Sequence, residues 1–491
     1  MDSVSLPASV STQGFPTDFS RAPFIVIWEV TRACALACVH CRADAIARRD
    51  PRELSTTEAF HLIDQIADFG NPHPLLVLTG GDPMWRKDLA EVVHYASAAG
   101  LSVALTPSGT GAATRKRLQE LKAAGLRRVA VSLDGPDPET HDRFRRVRGS
   151  FMYTMKIIEA VIDLGLPLQI NTTVSGLTLP TLRAMADRVS EFPLTLWAIF
   201  FLIQTGRGAA LDQISPRECE DVLRWLQELS TRVPFGIKTT EAPHFRRVLW
   251  QAEHATGSRV PGFDGSKVQS SIFERSGSDA FICKPSNSQP SNVALSPVEP
   301  AHAELSNRAP SNVELSPVEP AHAELSNRAP SNVELSTVEL SQTEPLNREP
   351  SNCRTFEPRT FRRPQLRAPW AVNDGNGFVF IDHIGQICPS GFLPMPRGNV
   401  RNTSLVDVYR SDEVFVRLRD PDALTGRCGR CRFRAVCGGS RSRAFAATGD
   451  VLASDPLCVY EPSADKRLTD LRDAGAARRG VAERTPRPAL S

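Results

Sequence analysis

The stretch TRACALACVHCRA, residues 31–43, places Cys34, Cys38 and Cys41 in a CxxxCxxC spacing directly after the apolar run FIVIWEV at 24–30. Thiols at i, i+4 and i+7 share one face of a helix, so three packing cysteines are the plainest reading. Structural zinc is a second reading, although it takes four protein ligands. Three thiolates at the carboxyl end of a barrel strand, where such folds keep their active sites, also fit a cubane iron-sulfur cluster with one iron left open to substrate or cofactor.

Outward from that loop, short apolar runs alternate with amphipathic stretches. FIVIWEV is followed by LLVLT (75–79), LSVALT (101–106), VAVSLD (129–134), LPLQINTTV (166–174) and LTLWAIFFLI (194–203). Between them, SerThrThrGlu at 55–58 and SerProArgGlu at 215–218 read as capping boxes that open helices, the second with Pro216 at the first helical position. Six strand-helix units with near-continuous apolar strands predict an α/β fold whose parallel sheet is buried on both faces. Six units rather than eight predict a partial (βα)6 barrel, open on one side.

The chain has 491 residues, 58 Lys+Arg, 55 Asp+Glu, 41% hydrophobic residues and 11 cysteines, enough for two or three packed domains and too large for a disulfide-stapled miniature. Its start lacks a basic region followed by an apolar one, and the longest apolar run, AIFFLI at 198–203, is far short of a bilayer span. A soluble, cytoplasmic protein is expected, with no membrane partner. Its thiols are then better explained by metal ligation, catalysis or burial than by disulfides. Residues 291–350 are three copies of a 20-residue unit, beginning SNVALSPVEPAHAELSNRAP, with nine Glu and three Arg. Their net charge of −6 leaves the rest of the chain at +9, where the whole stands at +3. The excess is Arg, 50 against eight Lys, without the aromatic interleaving of a nucleic-acid groove, so no nucleic-acid partner is expected. The repeats have no aromatic residue and cannot bury enough apolar area to offset their ordering entropy. Disorder is expected over 265–365, between a barrel at 22–264 and a smaller domain at 366–462, with flexible segments at 1–21 and 463–491.

Two further motifs end strands. TGGDP at 79–83 closes the second, and SLDG at 132–135, followed by HDRFRRVRGSF, closes the fourth. With the cysteines, they make residues 22–205 resemble the radical S-adenosylmethionine superfamily. The resemblance implies that Cys34, Cys38 and Cys41 are catalytic and hold a [4Fe-4S] cluster with an open iron. It implies that Gly80, Gly81 and Asp82 hold the methionine amino group of S-adenosylmethionine, with Asp where Glu is commoner. Ser132 and Asn171 are further cofactor candidates, and His40 stands at a position usually aromatic, where it packs rather than binds metal. The reduced cluster would give one electron to S-adenosylmethionine, and the resulting 5′-deoxyadenosyl radical would abstract a substrate hydrogen. A low-potential donor such as ferredoxin or flavodoxin would supply the electron.

A second set, CGRCRFRAVCGG and then Cys458, supplies Cys428, Cys431, Cys437 and Cys458, four thiolates that suit zinc on spacing alone. The preceding GFVFIDHIGQICPSGFLPMPRGNVRNTSLVDVYRS resembles the β-hairpin and helix of the SPASM/twitch extension, which implies one auxiliary [4Fe-4S] cluster on those four residues. Arg441 stands where a full SPASM domain has another cysteine, so Cys388 is left free or as a substitute ligand. Cys219 reads as packing within a helix, and Cys283 and Cys353 as incidental. The segment from Gly438 to Ala444 is closer to the branch acting on tetrapyrroles, where Arg441 and Arg443 would pair with carboxylates or brace the loop. The expected substrate is accordingly a tetrapyrrole propionate, with a peptide or protein maturase as the alternative. A non-catalytic iron-sulfur carrier is the alternative of another class, and such a carrier has no use for the GGDP and SLDG motifs.

Overall fold

The computed structural model describes residues 18–255 and 372–462. The expectations for the 291–350 repeats, for Cys283 and Cys353 and for the 463–491 tail lie outside those residues, as do residues 1–17. Strands β1 (Ile25–Glu29), β2 (Leu75–Thr79), β3 (Val103–Leu105), β4 (Leu126–Ser132), β5 (Leu168–Val174), β6 (Leu196–Phe201) and β7 (Gly236–Thr240) pair in parallel in chain order. Strand β8 (Phe378–Ile381) pairs in parallel with the free side of β1, and β9 (Ile387–Cys388) turns back antiparallel on β8. The sheet thus runs β7-β6-β5-β4-β3-β2-β1-β8-β9.

Helices α1 (Thr56–Ala67), α2 (Leu89–Ala98), α3 (Arg115–Ala123), α4 (Pro138–Arg145), α5 (Ser150–Asp163), α6 (Leu182–Ser190), α7 (Pro216–Ser230) and α8 (His244–Ala255) connect or follow the parallel strands. Four short helices, α9 (Leu405–Ser411), α10 (Glu413–Arg419), α11 (Gly426–Arg430) and α12 (Arg441–Thr448), follow the hairpin. Both capping boxes form: the Ser55 and Ser215 hydroxyls accept from the N–H groups of Glu58 and Glu218, whose carboxylates accept in return.

One face of the sheet supplies the core. Val26, Trp28, Leu76, Leu78, Val129, Val131, Ile170, Trp197 and Ile199 are buried with Leu62, Ile63 and Ile66 of α1 and with Ile157, Ile158 and Val161 of α5. Fully burying a side chain of this size contributes roughly 1.5–3 kcal/mol, so this face holds the sheet closed against its helices. The other face is mixed rather than apolar: on β5, half-buried Gln169, Asn171 and Thr173 alternate with buried Leu168, Ile170, Thr172 and Val174.

Three expectations change. A seventh parallel strand, β7, is present; its residues GIKTT form no apolar run and are half-buried throughout, as suits the edge of the sheet. The C-terminal hairpin and short helices are present, but β8 extends the barrel sheet itself. Within the segment expected to be flexible, Phe19 is buried and its carbonyl accepts from the Tyr409 hydroxyl at 2.8 Å.

Candidate functional site

The chain leaves β1 through Thr31–Ala33, where the Thr31 hydroxyl donates to Glu53 at 2.5 Å and the Cys34 N–H donates to the Ile46 carbonyl at 2.9 Å. Cys34 and Cys38 are buried and Cys41 half-buried, and the three gather in one small cluster with Leu36, Ala45 and Val147. A donor faces each sulfur. The N–H groups of Leu36 and Ala45 point at Cys34 and Cys41 from 3.3 and 3.4 Å, and an Arg145 nitrogen lies 3.5 Å from Cys38. Burial, with the nearby Asp82 and Cys38, pushes the Cys34 thiol up, whereas such donors favour the thiolate that binds metal.

The GGDP loop is bolted to this one. The N–H groups of Gly81 and Asp82 donate to the carbonyls of Thr31 and Ala33, both at 2.7 Å. A Cβ on Gly80 would stand 2.4 Å from the Thr31 carbonyl oxygen, and one on Gly81 would stand 2.4 Å from that of Ala33. Glycine is therefore required for loop to reach loop. Asp82 departs from expectation: it is fully buried, and its carboxylate accepts from the Thr110 hydroxyl at 2.6 Å and from the N–H groups of Met84 and Ser108 at 3.2 and 3.4 Å. One methylene shorter than Glu, it caps its own loop and presents no oxygen to a cofactor amino group. Ser108 closes the joint, donating to the Gly81 carbonyl at 2.6 Å and lying 3.6 Å from the Cys34 sulfur.

The SLDG motif contributes a residue that sequence reasoning missed. Asp134 forms a buried ion pair with Arg145, the residue that also faces Cys38, and accepts from the Thr173 N–H at 2.6 Å. Burial raises its pKa, but Arg145, the neighbouring histidines and the Thr173 N–H together outweigh burial and hold it below the usual range. The signal was the aspartate of SLDG with an arginine on the helix that follows. His40 stacks on Phe144 with ring centroids 4.3 Å apart, and burial, then the Arg145 charge, pulls it down to about 3. It is a neutral packing ring. Ser132 and Asn171 are register partners on β4 and β5, side by side on the face away from the helices.

Cys428, Cys431, Cys437 and Cys458 line a single small cavity with His244, Arg247, Phe433 and Asp455. Four thiols around one cavity are a donor set that either a tetrahedral zinc or a [4Fe-4S] cluster takes. Behind them, fully buried Asp455 receives His244 and Arg443, each at 3.2 Å. Burial would raise the Cys458 thiol, but the neighbouring His244 brings it down. Arg441 and Arg443 are both 1% exposed. Arg441 donates to the carbonyls of Val451 and Ala453 at 3.0 and 2.8 Å, so both arginines brace this site and neither is free for a substrate carboxylate. Cys388 is buried in the β8-β9 pair, its thiol pushed up to about 12 by burial, and does not line the cavity. Cys219 packs in the core.

The family model described as the radical SAM superfamily matches residues 28–189. An AdoMet-dependent heme synthase of Methanosarcina barkeri is 31% identical over 443 residues, covering 90% of this chain and 98% of that one. A second, from Nitratidesulfovibrio vulgaris, is 33% identical over 450 residues, covering 91% and 94%. Among solved structures, Streptococcus suis SuiB bound to S-adenosylmethionine superposes with a TM-score of 0.54 over 90% of this chain and 78% of that one, at 12% identity, a likeness of fold.

Proposed function

This chain belongs to the radical SAM superfamily, and from that premise we propose that it abstracts hydrogen from a propionate side chain of a tetrapyrrole in haem-type cofactor synthesis. It is an enzyme of oxidoreductase or lyase type and, as a member of that family, binds S-adenosylmethionine and a [4Fe-4S] cluster. The substrate class is supported by the end-to-end similarity to the two heme synthases.

Cys34, Cys38 and Cys41 would hold the cluster, because three thiols with facing donors gather there and no fourth cysteine joins them among the described residues. When bound, the reduced cluster supplies the electron that cleaves S-adenosylmethionine to a 5′-deoxyadenosyl radical. The protein's work is to fix and dry the pocket. Gly80 and Gly81 dock the second loop on the first, Asp82 stiffens it, and Ser132 and Asn171 offer polar groups to the cofactor. Asp134 holds Arg145 against Cys38, while His40 and Phe144 wall off water. Cys428, Cys431, Cys437 and Cys458 would hold an auxiliary [4Fe-4S] cluster, and a low-potential donor such as ferredoxin or flavodoxin would deliver electrons.

The observation that carries the reaction type is the three-cysteine loop hydrogen-bonded to Gly81 and Asp82. Anaerobically reconstituted, reduced protein is incubated with S-adenosylmethionine and iron coproporphyrin III, a tetrapyrrole with four propionates. The expected products are 5′-deoxyadenosine and a tetrapyrrole with fewer carboxylates. An unchanged tetrapyrrole beside a modified peptide would transfer the reading to the maturases.

A further inference from the structure

Among the described residues, the face of the sheet turned away from the helices carries two cations, Arg128 and Lys238, that meet no partner. On β4, Val129 and Val131 enter the helical core, so Arg128, Ala130 and Ser132 take the opposite face. The register agrees: Arg128 pairs with Ala104, which lies between core residues Val103 and Leu105. On β7, Ile237 packs against the core and Lys238 takes the opposite face. Ser132, Asn171, Ala198 and Lys238 are register partners in turn across β4, β5, β6 and β7. Lys238 thus stands in the same row as the two polar cofactor candidates, and Arg128 four residues before Ser132 on its strand.

Neither cation makes a hydrogen bond or ion pair among the described residues, whereas Arg42, Arg86, Arg145, Arg247 and Arg443, buried or largely so, each meet a carboxylate. Lys238 instead faces like charge. Burial, then Arg246 and Arg128, pulls Lys238 down to about 8, and burial lowers Arg128. Both side chains are half-buried, and holding them there without a counter-charge is unfavourable, a cost that an anionic ligand would remove.

We propose that Arg128 and Lys238, both on the inner face of the barrel, each anchor a propionate carboxylate of the substrate. This rests on the tetrapyrrole reading above. A carboxylate is also carried by the methionine end of S-adenosylmethionine; the place of Lys238 favours the substrate. Lys238 lies near Arg246, which donates to the Val436 carbonyl beside Cys437, so it sits on the side of the second cysteine set.

The test is an absorbance titration of reconstituted protein with iron coproporphyrin III and with its tetramethyl ester, beside a separate titration with S-adenosylmethionine. Wild type should bind the free acid in preference to the ester. Arg128→Gln and Lys238→Gln should each weaken the acid about tenfold or more and lose that preference, as expected for removal of a charged hydrogen bond. If iron content shows that a Gln variant has not folded, the charge-retaining Arg128→Lys and Lys238→Arg decide, and they should keep the preference. Unchanged acid and ester binding in folded variants overturns the pair. Loss of S-adenosylmethionine binding with the tetrapyrrole unaffected overturns it too, and assigns the pair to the cofactor. A wild type that binds no tetrapyrrole overturns the substrate reading itself.

Discussion

At Gly81 a single methyl group is decisive. A Cβ there meets the carbonyl oxygens of Ala33 at 2.4 Å and of Arg32 at 2.5 Å, and backbone cannot swing aside as a side chain can. Gly81→Ala should therefore cost roughly 1–3 kcal/mol and part the two loops. Iron content after reconstitution and yield of 5′-deoxyadenosine should fall together, and full values of both would show that the loops need not dock. Asp82 makes the converse case. Its carboxylate is fully buried among Thr110, Met84 and Ser108, so Asp82→Glu pushes a methylene into filled space. Thermal unfolding should show a loss of about 1 kcal/mol or more, and titration no gain in S-adenosylmethionine affinity. The cysteine spacing and both GGDP glycines were readable from sequence, because spacing and residue type carry that information. The facing of Asp82, Arg441 and Arg443 was not, since an ionisable side chain in a motif reads alike whether it meets a ligand or a neighbouring loop.

Among the elements, the docking of β8 on β1 does most to join the C-terminal segment to the site. Arg42, next to Cys41, donates to Glu29 of β1 at 2.5 Å and to the Gly391 carbonyl at 3.2 Å, and its guanidinium lies 4.7 Å from the Phe380 ring centre. His383 sits behind, 3.3 Å from Glu29 and 3.5 Å from Asp50. Burial pulls its pKa down, but Glu29 and then Asp382 outweigh burial and hold it above the ordinary value. A histidine raised by folding stabilises while protonated, and that contribution is lost as pH rises through its folded value. His383→Gln should therefore lower the urea midpoint most near about pH 6 and progressively less above it. A difference that grows with pH would contradict the ion pair. This joint was not legible in sequence, because it pairs residue 25 with residue 378 and nothing local in either strand names its partner. β7 was missed for another reason: an edge strand need bury neither face, so GIKTT carries no apolar signature.

Over the whole molecule, the two proposed metal centres differ in duty: the N-terminal one would meet the cofactor, and the C-terminal one would sit in the cysteine set braced by Asp455, His244, Arg441 and Arg443. Among the described residues no helix is long and apolar enough to cross a membrane. Anaerobic reconstitution should give about eight iron per chain, two cubanes. About four with one equivalent of zinc would remove the auxiliary cluster, and about twelve would bring Cys388 and its neighbours into a third. The most direct measurement combines that count with turnover. With Cys34, Cys38 and Cys41 all replaced by Ala, reconstituted protein should keep about four iron on the C-terminal set and form no 5′-deoxyadenosine from S-adenosylmethionine under reducing conditions. Undiminished 5′-deoxyadenosine from that variant would contradict the assignment of the N-terminal loop as the catalytic centre.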